Sequence, residues 1–266
     1  MTDVLFSKSI VSVEWLQSHL NASNLVVLNV SYPQSEEQIQ NTRYFDIKKK
    51  FSVLNAPFPN TLPSAEQFIE EARKLGINND SAIVVYDDRG IYWSARVWYM
   101  FKAFRYNNVA VLSGGLLEWK RLGFATESIK EYQVEYGDFN GNYNPKFFKF
   151  FEDIKKESLD ESHTIVDARS SDRFNCVVVE PRAGLRSGTI PNSINLPYTD
   201  LLDNGCLKSE EDLKTIFNLI VKTNDQLTFS CGSGITACVL ALGAEISGYK
   251  NISVYGWFLD RMGEFG

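Results

Sequence analysis

Short apolar runs alternate with longer stretches of mixed polarity along most of the chain. Strands are indicated where a run is short, continuous and rich in β-branched residues, and helices where apolar residues recur over several turns. The predicted strands cover 25–30, 82–86, 109–112, 165–167 and 227–230, and the predicted helices cover 10–20, 65–75, 94–104, a segment beginning at Gly115, and 237–246. This order predicts an α/β fold, with a mostly parallel central sheet flanked by helices on both faces.

The second half of the chain repeats the order of the first. Residues 83–87 correspond to residues 227–231, and residues 106–109 correspond to residues 249–252, at an offset near 143 positions. A repeat of this length indicates a duplicated domain rather than a solenoid of short units.

Turn-forming residues separate the two halves. We therefore predict a first domain over residues 1–130, a linker over 131–151 and a second domain over 152–266. The two copies differ where the first has Asp87 and the second has Cys231. A carboxylate cannot carry sulfur, so any covalent sulfur chemistry is expected in the second domain alone.

Cys231 is the strongest candidate for chemistry in the chain. It follows the predicted strand 227–230 and precedes the predicted helix 237–246, with Gly232 and Gly234 between them. Glycines let such a loop curl and aim its N–H groups inward, and a helix N-terminus adds partial positive charge. The loop should favour a thiolate or a persulfide. The alternative is a small buried cysteine, and the assignment fails if the sulfur is buried with the neighbouring amides turned away.

Charge and composition exclude several classes of protein. A net charge of −6 and a pI near 5.1 argue against nucleic-acid binding, which needs clustered basic residues. No apolar run is long enough to cross a membrane. Four cysteines without a C-x-x-C pair, and a first segment unlike a signal peptide, lead us to expect a reducing, cytoplasmic location. We find no metal-binding cluster and no nucleotide-binding fingerprint, and so expect no cofactor.

The motifs together resemble the two-domain rhodanese-like sulfurtransferases, over essentially the whole chain. They are Val166-Asp167-Ala168-Arg169, Asp172-Arg173-Phe174, Glu180-Pro181-Arg182, the segment 187–197, the loop 231–237, and in the first half Tyr86-Asp87 and Gly114-Gly115 with Trp119. The resemblance implies two tandem rhodanese-like domains. It also implies that Cys231 takes sulfur from a small-molecule donor as a persulfide and passes it to cyanide, a thiol or a reduced thioredoxin-like protein.

The loop composition favours one branch of the resembled family. Members that use 3-mercaptopyruvate carry Gly-Ser-Gly after the cysteine, as residues 232–234 do here, whereas thiosulfate members carry basic residues. By resemblance, Ser233 polarises or protonates the departing enolate oxygen. Arg173 and Arg182 hold the donor carboxylate, for which the planar guanidinium is suited. The alternative for each arginine is a surface or linker-pairing role. The remaining predicted substrate contacts are Gly232, Gly234, Ile235 and Thr236.

Several positions depart from the family pattern. Asn60 stands where mercaptopyruvate members have a histidine, and no acid lies around Val53. Cys176 falls where glycine is common, and we expect it to be a packed neutral thiol, with redox pairing to Cys231 as the alternative. Cys238 is expected in the core. The segment Tyr255-Gly256-Trp257 is shorter than the family motif.

Other functions remain open at this stage. A thiosulfate donor is the near alternative, and a persulfide carrier with little turnover is another. A cysteine phosphatase would need arginine at Ala237 and histidine at Ser230. Neither His19 nor His163 falls in a site motif, which argues against a Cys-His hydrolase. We expect a monomer or a weak dimer.

Overall fold

The computed structural model describes residues 3–56, 60–180, 187–221 and 226–256. Its internal contacts divide the chain into two compact units. The first comprises residues 1–144 with 204–207, and the second comprises residues 145–203 with 208–266.

The first unit is built around a parallel sheet of five strands. Its elements are β1 (Ile10–Val11), α1 (Val13–His19), β2 (Leu25–Asn29), β3 (Glu37–Gln38), β4 (Thr42–Tyr44), α2 (Ala65–Lys74), β5 (Ala82–Tyr86), α3 (Trp93–Ala103), β6 (Val109–Leu112), α4 (Gly115–Arg121) and β7 (Glu127–Ser128). The strand order is β1-β6-β5-β2-β4, with every pairing parallel. Strands β3 and β7 form a separate antiparallel pair.

The second half repeats this sheet. Its elements are β8 (Phe148–Lys149), α5 (Phe151–Glu157), β9 (His163–Asp167), α6 (Ser171–Phe174), β10 (Ile194–Asn195), β11 (Leu202–Asp203), β12 (Cys206–Leu207), α7 (Glu210–Asn218), β13 (Gln226–Ser230), α8 (Thr236–Ile246) and β14 (Ile252–Tyr255). The order β10-β9-β13-β14-β8 is that of the first sheet traced from its other edge, again all parallel. The α/β class and the duplication are confirmed.

The helix predicted over residues 10–20 is too long at its N-terminal end. Ile10 and Val11 form β1 and pair with β6, where β-branched side chains fit the edge of a parallel sheet. The helix begins at Val13. Ser12 is the N-cap, and its hydroxyl accepts a hydrogen bond from the Trp15 N–H at 3.2 Å.

The first part of the segment predicted as a linker is held against the first unit. Residues 131–144 contain no helix or strand, yet Phe139 is fully buried beside Phe68 and Phe101. The Phe139 N–H donates to the Ile77 carbonyl at 3.1 Å. From residue 145 onward the chain belongs to the second unit, where β8 pairs with β14.

The two central strands end at equivalent positions, at the same edge of their sheets. β5 and β13 each lie in the middle of their sheet and are almost wholly buried. The long helices α3 and α8 follow them and are buried over nearly all their length. In open parallel sheets, ligand sites lie beyond the carboxyl ends of such strands. Asp87 and Cys231 occupy these positions.

Candidate active site

Cys231 lies between the last residue of β13 and the first turn of α8. Gly234 has φ +72°, a left-handed conformation that glycine adopts without strain, and it lets the loop turn into the helix. The thiol of Cys238 donates to the Gly234 carbonyl at 3.2 Å, which fixes this turn from inside the helix. Cys238 is fully buried, as the sequence led us to expect.

The sulfur of Cys231 does not lie open to solvent. The residue is only 1% exposed, which meets one of the two conditions that together would defeat the cysteine assignment, namely burial of the sulfur. The cause is its position at the tip of a central strand, between buried Ser230 and buried Gly232. Ser233 and Thr236 are the partly exposed residues of the loop, so solvent reaches the loop at these two positions.

The matching loop of the first unit shows what such a turn can hold. The carboxylate of Asp87 accepts hydrogen bonds from the N–H groups of Arg89 (2.9 Å), Tyr92 (2.9 Å) and Ser94 (2.8 Å). The Ser94 hydroxyl adds a fourth at 2.7 Å. The loop after β5 is therefore an anion site that is filled by its own side chain. In this fold, a strand-to-helix loop can carry a negative charge without a basic side chain.

Ser230, the residue before Cys231, was given no role by the sequence. Its hydroxyl is buried directly before Cys231, and it has no hydrogen-bond partner among the described atoms. A buried hydroxyl without a partner is uncommon in folded proteins. No sequence signal distinguishes it from an ordinary strand serine.

An ion pair in the loop after β9 fixes the chain that leads to Arg173. Asp167 ends β9, and both N–H groups on one edge of the Arg169 guanidinium donate to its carboxylate, Nε at 2.9 Å and Nη2 at 2.7 Å. Both residues are buried, and Asn195 bonds their carbonyls at 3.0 and 2.9 Å. The short helix α6, which carries Arg173, begins two residues further on.

Arg173 has a partner that sequence reasoning overlooked. Its Nη2 group donates to the Glu180 carboxylate at 2.6 Å. Glu180 was noted only as part of a motif, because nothing in the sequence shows that its side chain turns back to α6. Arg182, the second predicted carboxylate ligand, lies outside the described residues.

Cys176 is exposed, so the expectation of a packed thiol is wrong. It follows the end of α6 with φ +58°, and its N–H donates to the Arg173 carbonyl at 3.3 Å. A left-handed residue is common just past a helix end. The same conformation explains why glycine suits this position.

Asn60 is already engaged within the first unit. Its side-chain oxygen accepts a hydrogen bond from Lys48 Nζ at 2.6 Å. That ammonium group also lies over the Tyr32 and Trp93 rings, 5.0 and 4.8 Å from their centroids. The amide has no group that titrates near neutral pH. Trp257, the last residue of the shortened C-terminal motif, lies outside the described residues.

Metal and membrane signals are lacking in the part of the chain that the structure covers. No three His, Cys, Asp or Glu side chains there are grouped so as to hold a metal ion. None of the helices found there is long and apolar enough to span a bilayer.

Comparison with known proteins gives consistent matches along both units. A family model described as the Rhodanese-like domain matches residues 12–122 and again residues 151–258. The human 3-mercaptopyruvate sulfurtransferase is 35% identical over 93% of this chain and 89% of its own length. The rat thiosulfate sulfurtransferase is 31% identical over 96% and 92%. The crystal structure of the 3-mercaptopyruvate sulfotransferase SseA from Escherichia coli superposes with a TM-score of 0.83 at 29% identity, covering 94% of this chain and 99% of that one.

Proposed function

The chain belongs to the rhodanese-like family, and from this premise we propose that it is a sulfurtransferase that moves sulfur from 3-mercaptopyruvate through a Cys231 persulfide. The observation that carries the proposal is the position of Cys231, at the carboxyl end of the central strand and the start of α8. The matching loop of the first unit supports it, because that loop holds the carboxylate of Asp87 with backbone N–H groups.

The first half-reaction loads the cysteine. The Cys231 thiolate attacks the sulfur of 3-mercaptopyruvate, a sulfur–sulfur bond forms, and the carbon–sulfur bond breaks. Its electron pair leaves with the carbon as the enolate of pyruvate, which then takes up a proton. We assign Ser233 to polarise or protonate the enolate oxygen, and the N–H groups of Gly232, Gly234, Ile235 and Thr236 to stabilise the sulfur anion.

The second half-reaction removes the outer sulfur from the Cys231 persulfide. A nucleophilic acceptor such as cyanide, a small thiol or a reduced thioredoxin-like protein attacks the outer sulfur of the persulfide. The sulfur–sulfur bond breaks, and its electron pair returns to Cys231 as the thiolate. The thiolate is then ready for another donor, so no external oxidant or reductant is required beyond the acceptor itself.

The donor is expected to carry a single negative charge. We assign Arg173 and, by the same family resemblance, Arg182 to its carboxylate. The loop 231–235 contains no basic residue that would favour doubly charged thiosulfate. Because relatives named for thiosulfate also match, turnover on the two donors should be compared with cyanide as acceptor. A wide margin for thiosulfate would overturn the donor assignment.

Two observations favour a slower persulfide carrier as a second candidate. Cys231 is only 1% exposed, and Asn60, by the family resemblance, stands at the position of a histidine. A carrier would accept sulfur once and release it slowly to every acceptor. Single-turnover release rates with cyanide, a small thiol and reduced thioredoxin separate this candidate from the enzyme.

Intact-protein mass spectrometry tests the cysteine assignment. Treatment with 3-mercaptopyruvate should add the mass of one sulfur atom, and a reducing thiol should remove it. Cys231→Ser should abolish both the gain and the turnover, whereas Cys176→Ser, the matched control at an exposed thiol, should keep both. A labile gain that persists in Cys231→Ser would contradict the proposal.

We propose a cytoplasmic location and a monomer or weak dimer. Support for a reducing compartment comes from the cysteines, since none of the four, all within the described residues, forms a disulfide. Fractionation of the source cells and light scattering over a range of concentrations test these two statements.

A further inference from the structure

A buried acid holds the arginine that we assign to the donor. The Glu180 side chain is 1% exposed, whereas Arg173 keeps 25% of its side chain exposed. The contact of 2.6 Å between Arg173 Nη2 and the Glu180 carboxylate is short and joins two charges. The Glu180 N–H also donates to the Ser187 hydroxyl at 3.1 Å, so the acid is fixed at its backbone as well.

This ion pair differs from the one that precedes it in the chain. Asp167 takes both N–H groups on one edge of the Arg169 guanidinium, and that pair is completely buried. In Arg173 only Nη2 is bonded to the acid, while Nε on the same edge is buried without a hydrogen-bond partner among the described atoms. Glu180 therefore anchors the guanidinium and does not use up its donors.

The two residues depend on each other. A carboxylate at 1% exposure is stable in its charged form only beside a cation. Conversely, without Glu180 the Arg173 side chain would turn to solvent and sample many rotamers. Fixing it in one rotamer would then cost conformational entropy. Ordering the arginine before the donor arrives removes that cost from the binding step.

We propose that Glu180 is a positioning residue for the donor half-reaction, acting through Arg173. The inference rests on the proposed function, in which Arg173 receives the carboxylate of a 2-oxo acid thiol. Glu180 holds the guanidinium in place so that the incoming carboxylate meets an ordered donor. The formal charges cancel within the pair, so the anion adds one charge to a neutral pair.

Two substitutions separate anchoring from charge. Glu180→Ala removes the anchor, and KM for 3-mercaptopyruvate should rise about tenfold, with kcat and the acceptor half-reaction little changed. Glu180→Gln keeps an oxygen that can accept from Nη2, so KM should stay within about twofold of the wild-type value. If Glu180 served only the stability of the fold, its loss would not raise KM while leaving kcat nearly unchanged.

A rescue experiment gives the sharper test. Arg173→Ala removes the guanidinium from beside the buried Glu180 carboxylate, whose negative charge then repels the donor anion. Adding Glu180→Gln to that variant should recover kcat/KM by about fivefold, because the repulsion is removed. The double variant remains informative even if Glu180→Ala does not fold.

The control is another buried acid of the same unit. Glu157 pairs with Lys149 and takes no part in the proposed site, so Glu157→Gln should lower Tm and leave the donor KM unchanged. The inference is overturned if Glu180→Ala keeps the wild-type KM, if it slows the acceptor step equally, or if the double variant shows no recovery. A wild-type protein that gains no sulfur at all would instead overturn the proposed function, and the inference with it.

Discussion

At the scale of single residues, two neighbouring aspartates at the tip of β5 have opposite surroundings. Asp87 accepts four hydrogen bonds. Asp88 has one buried carboxylate oxygen with no partner among the described atoms. Burial, and then the charge of Asp87, raise the pKa of Asp88 above its ordinary value, against smaller opposing effects from Arg89 and Ser31. The ionised form of Asp88 therefore destabilises the folded state.

Removing that charge should stabilise the protein at neutral pH. Since the pKa of Asp88 is raised by folding, its cost is absent below the pKa of an unfolded aspartate, about 3.9, and is complete once the pH exceeds the folded value. Asp88→Asn should accordingly raise the free energy of unfolding at neutral pH and have no effect in acid. Urea unfolding at several pH values measures this. An equal effect at all pH values, or one shared by exposed Asp200→Asn, would rule out this account.

At the scale of elements, a buried polar network joins one helix to three strands of the second sheet. The Glu157 carboxylate, at the end of α5, accepts from Lys149 Nζ on β8 at 2.8 Å and from the Thr228 hydroxyl on β13 at 2.6 Å. Thr228 also bonds Ser253 on β14 at 2.8 Å. The side chain of Glu157 is 7% exposed, so its charge is compensated mainly by these contacts.

Breaking one charge of this network should be costly. Lys149→Met leaves Glu157 buried without its nearest cation, and we expect a loss of about 3 kcal/mol or more in the free energy of unfolding. Lys74→Met is the matched control, because its pair with Glu71, at a similar 2.7 Å, leaves the lysine half exposed and should cost below about 1 kcal/mol. Chemical denaturation of both variants checks the difference. Equal losses would mean that the network contributes no more than a surface pair.

The elements that the sequence predicts well are those whose signal is local. β5 and β6 have the predicted bounds, because each is a continuous buried apolar run. β1 was missed, since a two-residue edge strand is defined by its partner in the sheet and not by its own pattern. The ends of the other predicted elements, α1 apart, differ by two residues at most, as at α3 and α8. Elements of the second half such as α5, α7 and β14 carried no prediction.

The features of the candidate site also divide into those that have a local sequence signal and those that have none. The position of Cys231 between a strand and a helix follows from local sequence and is as predicted. The burial of its sulfur and the pairing of Glu180 with Arg173 depend on how distant segments fold together, so no local pattern shows them. Exposed Cys176 was misjudged because a cysteine past a helix end takes its direction from the backbone.

At the scale of the whole molecule, the same fold occurs twice, and the loop after the central strand begins with a different residue in each copy. Both sheets have the same strand order, and in both the loop beyond the central strand opens onto a long buried helix. In the first unit the carboxylate of Asp87 occupies the anion site permanently. In the second, Cys231 lies at the matching position, where we propose that it acquires and releases a sulfur atom. On that proposal, the duplication supplies one loop for chemistry and one that is closed by its own side chain.

The first unit also includes residues from late in the chain, and a substitution at Gly90 tests this. Residues 204–207 belong to that unit, and a Cβ on Gly90, at φ +90°, would lie 2.5 Å from the Gly205 carbonyl oxygen. Gly123→Ala is the matched control, with φ +75° and open space around the added methyl, so it should cost only backbone strain of about 1 kcal/mol.

Gly90→Ala should cost the same strain plus the displacement of backbone atoms, about 2 kcal/mol or more beyond the control. Differential scanning calorimetry of the full chain measures both variants. Because the added methyl meets backbone rather than a flexible side chain, the neighbouring segment itself must move. An equal Tm for the two variants would therefore show that residues 204–207 do not pack beside Gly90 in solution, and that the first unit is complete without them.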